Sequence, residues 1–332
     1  MNKLVGFVVL VASLALGSAW MAYKQSVDRS HIRESDMSVV IDIPRGANLN
    51  QVVQQLTDKH AVEKTWFRVL VWMEGASSRI KAGEYEFSPG MTPRQILQHL
   101  IKGKVLQYAV TLVEGQTFTQ LLTELHQHPQ VQQTVDPQAP YSELMKQLEI
   151  PETHPEGLFL PETYFFVKGT SDQAILKRAY RAMQAYIHET WPGRMEKLPL
   201  ETPYEALILA SIVEKETAVA DERTRIAGLF IKRLQIGMKL QTDPTVIYGM
   251  GKAYKGDIRF RDLRKDTPYN TYTRYGLPPT PIAMPGKASI DAVLHPEIGN
   301  SLYFVSRGDG THVFSETLKE HNRAVDKYQR KR

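Results

Sequence analysis

The stretch SIVEKETAV, residues 211–219, sets two carboxylates and an ammonium group into an otherwise apolar run. A carboxyl group can give a proton to a leaving oxygen and take one back, so Glu214 and Glu216 are candidates for general acid and base work. Helical residues advance by about 100° each, which puts the two about 200° apart on nearly opposite faces. They cannot act as one catalytic pair. Neighbours at helical spacing set Glu216 over Leu209, Ile212 and Val213, and Glu214 over Leu207, Ala210 and Ser211. Apolar surroundings disfavour the charged form and raise a carboxyl pKa, which is what a proton donor needs near neutrality. Spacing therefore favours Glu216. It leaves open Glu214, or a structural role for both, because this helix is apolar nearly all round.

Two further stretches carry polar groups in patterns suited to a ligand. In QTDPT, residues 241–245, Gln241, Asp243 and Thr245 occupy alternate positions, which point to one side of an extended segment. The alternative for QTDPT is an Asp-Pro turn with a capping side chain. NTY, residues 270–272, adds the amide of Asn270, a hydroxyl and the ring of Tyr272. Aromatic faces among amides and hydroxyls suit sugars, which present apolar ring faces and hydroxyl rims.

Other chemistries have little support. The chain has no cysteine, which excludes disulfides, thiolate nucleophiles and Cys-ligated metals. His295, His312 and His321 are far apart and no HExxH occurs, so no metal site is expected; the proline after His295 suits a turn. Neither a GxSxG elbow nor a GK[ST] loop is present. The net charge of +5 is spread out apart from the terminal KYQRKR. Without a basic stripe, nucleic acid is not an expected partner, and an anionic polymer or a membrane surface fits better.

These groups must be held by something, and 332 residues exceed what one core usually holds. An anchor followed by two domains is expected. LVGFVVLVASLALGSAWMAY, residues 4–23, is uncharged and has the length of one membrane-crossing helix, about 20 residues. Lys3 precedes it, and Trp20 and Tyr23 sit where interfacial aromatics belong. A cleaved signal peptide, with small residues Gly17, Ser18 and Ala19 at the cleavage site, is the rival. The apolar residues continuing past that site favour an uncleaved anchor. Either way, everything after Lys24 lies outside the cytoplasm.

Three segments share one pattern: GANLNQVVQQL from Gly46, GMTPRQILQHL from Gly90 and GQTFTQLLTEL from Gly115. Each follows a short alternating run, VVIDIPR, GEYEFSP or YAVTLVE. The pattern predicts strand, glycine turn, polar cap and short amphipathic helix, with Asn48, Thr92 and Thr117 as caps and Pro93 in a first turn. Repeated units of this kind suggest small α+β modules. Residues 127–165 are rich in Pro, Gln and His and read as irregular, with aromatic pieces that could line a groove. Helices are predicted after Ser171 and stopping at Pro192 and Gly193, from Pro203 to about Ala220, and through DERTRIAGLFIKRLQIG to Gly237. QTDPTVIYGMG and NTYTRYGLPPTPIAMPG read as loops, and SLYFVSRGDGTHVFSE as a hairpin.

Residues 210–251, ASIVEKETAVADERTRIAGLFIKRLQIGMKLQTDPTVIYGMG, closely resemble the central motif region of the endolytic murein transglycosylases, the YceG-like family. The resemblance extends to VEG at 113–115, EGLFLPETY at 156–164, YNTYTRYGLPPTPIAMPG at 269–286, HP at 295–296, YFV at 303–305 and HN at 321–322. It implies an α+β architecture: a cytoplasmic stub at 1–3, a transmembrane signal anchor at 4–23, a linker at 24–37, a LysM-like module at 38–107 and a mixed α/β catalytic domain at 108–332. The enzyme would be a single-pass inner-membrane lyase facing the periplasm. It would act in cell wall biogenesis and organisation.

The resemblance further implies that Glu216 is the catalytic glutamate and that Gln241, Asp243, Thr245, Tyr248, Asn270 and Tyr272 line the cleft. The implied reaction is non-hydrolytic cleavage of the β-1,4 bond between N-acetylmuramic acid and N-acetylglucosamine within nascent strands, leaving 1,6-anhydro ends and terminating elongation. No metal or cofactor is required. Peptidoglycan strands and the membrane are the implied partners, with cell-wall synthetic enzymes a further one. Two positions depart from the family pattern: Lys232 stands where asparagine is expected and Glu162 where aspartate is. A hydrolase using Glu216 and Asp243, or an anchored glycan-binding scaffold, are the rival readings.

Overall fold

The computed structural model describes residues 2–33, 35 and 37–330. It is a mixed α/β structure with two compact units, the first reaching to Tyr108 and taking in Phe165–Gly169, the second holding Ala109–Tyr164 and running on from Thr170.

The first unit begins with helix α1 (Asn2–Val27), which is apolar enough to cross a membrane and whose apolar stretch is unburied. An anchor and a signal sequence share these properties. The helix continues past the anchor predicted at 4–23. Tyr23 and Val27 are buried in the core of the unit, as is Ile32, and Arg94 binds Asp28 at 2.9 Å and Glu74 at 2.9 Å. The first part of the expected linker is therefore packed structure, because its apolar residues have a core to enter. Glu34 and Asp36, in the rest of that linker, lie outside the described residues, as does the end of the basic tail.

The predicted strand, turn and helix repeat is present. Strands β1 (Val39–Ile43) and β2 (Gly83–Phe87) pair antiparallel, with Ile41 opposite Tyr85. Helices α2 (Leu49–Asp58), α3 (Lys64–Met73) and α4 (Pro93–Lys102) cover the sheet's apolar side. The third copy supplies β3 (Tyr108–Thr111) and α5 (Phe118–Gln127). In all three copies the cap side chain accepts from the N3 amide while the N3 glutamine accepts from the cap's own amide, as at Thr92 and Gln95, 3.3 and 2.9 Å respectively. The recurring glutamine thus satisfies an orphan amide at each helix start.

In the second unit, β4 (Val131–Gln132) and α6 (Tyr141–Gln147) give structure to part of a stretch expected to be irregular. β5 (Thr163–Phe166) pairs with β3, and β6 (Thr170–Ser171) pairs parallel with β4 and leads into α7 (Asp172–Thr190), capped by Ser171 as predicted. The central helix α8 (Pro203–Glu216) is buried over Ala206–Val213 and packs against α9 (Ala220–Gln235) and α12 (Lys287–Leu294), with α10 (Asp243–Met250) and α11 (Phe260–Arg264) between those last two in the chain. The α8 helix stops at Glu216 rather than near Ala220, since Thr217 is extended at φ −146°. The predicted hairpin is β7 (Tyr303–Ser306) with β8 (His312–Ser315), followed by α13 (Leu318–Tyr328).

Two readings of the 241–251 region change. QTDPT is not an extended row, and the stretch after it is not a loop: Asp243 opens α10 with Pro244 in its first turn. Proline's fixed φ favours a helix start as readily as a turn.

Gly228 of α9 lies directly against the carbonyl of Glu297, where a Cβ would overlap backbone. We expect Gly228→Ala to destabilise the protein by about 1–3 kcal/mol, seen as a lower urea midpoint at an unchanged slope.

Candidate active site

Glu216 is the last residue of α8 and is only partly exposed. It opens onto a cleft of about 420 Å³ shared with Arg233 of α9, Gln241, Asp243, Tyr272 and the β7–β8 hairpin. Its carboxyl accepts a hydrogen bond from the Thr242 hydroxyl. Burial pushes its pKa up to about 7; the Thr242 bond and Arg233 pull it down, while the nearby Asp243 charge pushes it up. The helix end contributes the same sign as burial, because the C-terminal end of a helix dipole is unfavourable to an anion. A carboxyl poised between its two forms at neutral pH can give and retake a proton.

Arg233 is 5% exposed, and its guanidinium donates to the carbonyls of Leu302 at 2.7 Å and Leu240 at 2.6 Å. It fixes the hairpin and the approach to α10 while supplying positive charge near Glu216. Tyr272 donates to Asp243 at 2.6 Å, and burial followed by this bond raises its pKa, so it remains a donor. The ring of His321 stacks on Tyr303 with centroids 5.3 Å apart, and its buried Nδ1 has no hydrogen-bond partner among the described residues. Burial and then Arg233 lower its pKa, disfavouring the charged imidazolium.

The sequence-selected residues divide into two groups. Glu216, Gln241, Asp243 and Tyr272 line the cleft. Thr245, Tyr248 and Asn270 do not. Thr245 is fully buried and shares a hydrogen bond with Thr271 at 2.9 Å, while Thr271 also accepts from the amides of Gln241 and Thr242. Asn270 donates at 2.7 Å to the carbonyl of Lys265 and so closes the end of α11. Thr245 thus stitches the 270–272 turn to the start of α10, and Asn270 ties the same turn to the end of α11. Tyr248 points elsewhere, donating to Glu156 at 2.9 Å. Glu156 is 1% exposed, accepts also from the Phe118 amide at 2.8 Å, and is pushed by burial up to about 7.

Glu214, on the other face of α8, accepts from the Gly286 amide at 3.0 Å and the Ser289 hydroxyl at 2.7 Å, at the start of α12. An anion at a helix N-terminus is stabilising, so its role is to dock two helices. Lys215 donates to the Gly115 carbonyl at 3.1 Å. Glu162 is exposed and pairs with Lys287 at 2.8 Å. The cleft residues that spacing missed are Arg233, Thr242, Tyr303 and His321. Of these, Tyr303 and His321 fall inside the YFV and HN motifs, but nothing in their local spacing marks them as partners of Glu216.

The raised carboxyl groups make stability pH-dependent. A folded-state pKa near 7 against an ordinary value of 4.5 means that the folded protein binds the extra proton between those limits. This stabilisation is complete below about pH 4.5 and is lost as pH rises through about 7. We expect Glu156→Gln to remove a loss on the order of 2 kcal/mol over that interval, measured by urea unfolding at a series of pH values.

Fold and site together define a class: a mixed α/β unit in which one half-buried carboxyl, at the end of a central helix, faces an open cleft walled by aromatic and polar side chains. The chain belongs to the YceG-like family, which matches residues 41–327. It is 34% identical over 335 aligned positions to the Bacillus subtilis endolytic murein transglycosylase, covering 95% of this chain and 91% of that one. It is 25% identical to the Streptococcus pneumoniae endolytic murein transglycosylase, covering 97% of this chain and 64% of that longer relative. The crystal structure of a yceG-like protein from Listeria monocytogenes, 30% identical, superposes with a TM-score of 0.56 over 86% of this chain and 98% of that one. An enzyme that cleaves murein by transglycosylation is a lyase.

Proposed function

We propose that this chain is an endolytic murein transglycosylase with Glu216 as its proton carrier. The observation that carries the reading is the carboxyl of Glu216, held by burial near a neutral pKa at the wall of the cleft. The protonated carboxyl gives its proton to the oxygen of the β-1,4 bond between N-acetylmuramic acid and N-acetylglucosamine. As the bond breaks, the carboxylate takes the proton of the muramyl 6-hydroxyl, whose oxygen attacks the anomeric carbon and closes a 1,6-anhydro ring. One carboxyl serves both steps because the sugar supplies its own nucleophile, whereas most glycosidases need two. Arg233, Thr242 and Tyr272 shape the site around that group.

In this reading α1 is an uncleaved anchor in the inner membrane, the first unit carries the LysM-like module, and the second unit works on the periplasmic side. An enzyme so placed reaches strands still being made and ends their elongation, alongside the synthetic enzymes. Gln241 and Asp243 contact the substrate; Thr245 and Asn270 act on it only through the backbone they hold, and Tyr248 is bound to Glu156 instead.

Asp243 lies on the same cleft as Glu216, which supports a hydrolase in which Asp243 activates water. Mass spectrometry of digested strands separates the two: anhydro ends support transglycosylation, and reducing ends support hydrolysis.

A further inference from the structure

Tyr272 also borders a second hollow of about 550 Å³, bounded by Lys239, Phe260, Leu263, Arg264, Tyr272 and Thr273. Tyr272 is common to this hollow and to the cleft, so the two adjoin at that ring. Phe260 stands 81% exposed on α11, and Tyr275 is 71% exposed with the Lys239 ammonium 4.9 Å from its ring centre. One exposed aromatic ring means little. Two flanking a cation, on a surface running on from a glycan-sized cleft, make a place for a sugar face.

The charges on this shelf are unbalanced in a useful direction. Asp266 is held by Arg274 at 2.9 and 3.0 Å, and Asp262 accepts from the Arg259 amide at 2.9 Å. These two acids are thus engaged, while the Arg264 side chain is exposed and makes no hydrogen bond or ion pair among the described residues. Lys239 donates to the Tyr272 carbonyl at 3.1 Å and has ammonium hydrogens to spare.

We propose that this shelf is a binding site for the continuation of the glycan strand beyond the scissile bond, with sugar faces on Phe260 and Tyr275 and a stem-peptide carboxylate on Arg264 and Lys239. The proposal rests on the murein reading above and deepens it. An enzyme cutting inside a strand must hold sugars past the bond it breaks, and murein carries carboxylate-bearing peptides at regular intervals. Arg264 supplies the fork that suits a carboxylate. The shelf favours peptide-bearing strands over bare ones.

The test uses the full chain in detergent micelles carrying Glu216→Gln, so that strands are bound and not consumed. Its binding to murein strands with stem peptides, and to strands stripped of them by an amidase, is compared with that of the same protein carrying Phe260→Ala or Arg264→Glu. Both added residues are on the surface, and melting curves check that the fold is retained. Phe260→Ala is expected to weaken binding of both strands about five- to tenfold. Arg264→Glu is expected to weaken only the peptide-bearing strand, by a similar factor of about five or more. Unchanged binding by both variants overturns the shelf, and equal weakening of both strands by Arg264→Glu overturns its peptide specificity. A parent protein that binds neither strand overturns the murein reading itself, and the shelf with it.

Discussion

Glu216→Gln lowers the rate of strand cleavage by about 10²–10⁴-fold, the range expected when one general acid is removed, and leaves the melting temperature nearly unchanged. Gln is almost isosteric and keeps an acceptor for the Thr242 hydroxyl. It also resembles the neutral form that burial already favours, so the fold loses little. In the wild-type protein the same logic gives activity that falls as pH rises through about 7, when the acid loses its proton before the substrate arrives. Activity of the variant at more than one tenth of wild type would assign the proton transfer to another group. The measurement is the release of anhydro-ended fragments from purified strands, wild type and variant side by side across pH.

Replacement of Arg233 has the largest expected effect on stability. Arg233→Met keeps the aliphatic bulk but leaves the carbonyls of Leu302 and Leu240 without their donor in a buried setting. A loss of about 3 kcal/mol is expected, read from urea unfolding. Its charge also holds the Glu216 pKa down, so its removal moves the alkaline limit of any remaining activity upward. A variant with wild-type stability and an unmoved pH limit would show that the guanidinium is not the clamp on this site.

The helices capped by Asn48, Thr92 and Thr117 were legible because each signal lies within six residues: a cap, a reciprocal glutamine and a turn glycine with positive φ. The preference for Glu216 over Glu214 was legible for a similar reason, helical phase being local. The α10 helix was not, because Asp-Pro serves turns and helix starts alike and only the tertiary bonds to Thr271 decide between them. The far wall of the cleft was not legible either. Tyr303 and His321 join the cleft that holds Glu216 by the packing of a hairpin and the last helix, which no local spacing records. The family motifs mark Thr245 and Asn270 as strongly as the cleft residues, since a motif does not distinguish a residue that touches the substrate from one that holds the backbone behind it.

The burial of Tyr23 and Val27 has a mechanical meaning if α1 is the anchor proposed above. The helix enters the core of the first unit within the same unbroken rod, and the Asp28–Arg94 ion pair braces it just past its end. Such a joint behaves as a built-in cantilever and not as a tether. With α1 anchored in a bilayer, the first unit would not swivel freely at its surface; a tilt of the rod would become a tilt of the unit, and its height above the lipid would be set by helix geometry, about 1.5 Å per residue.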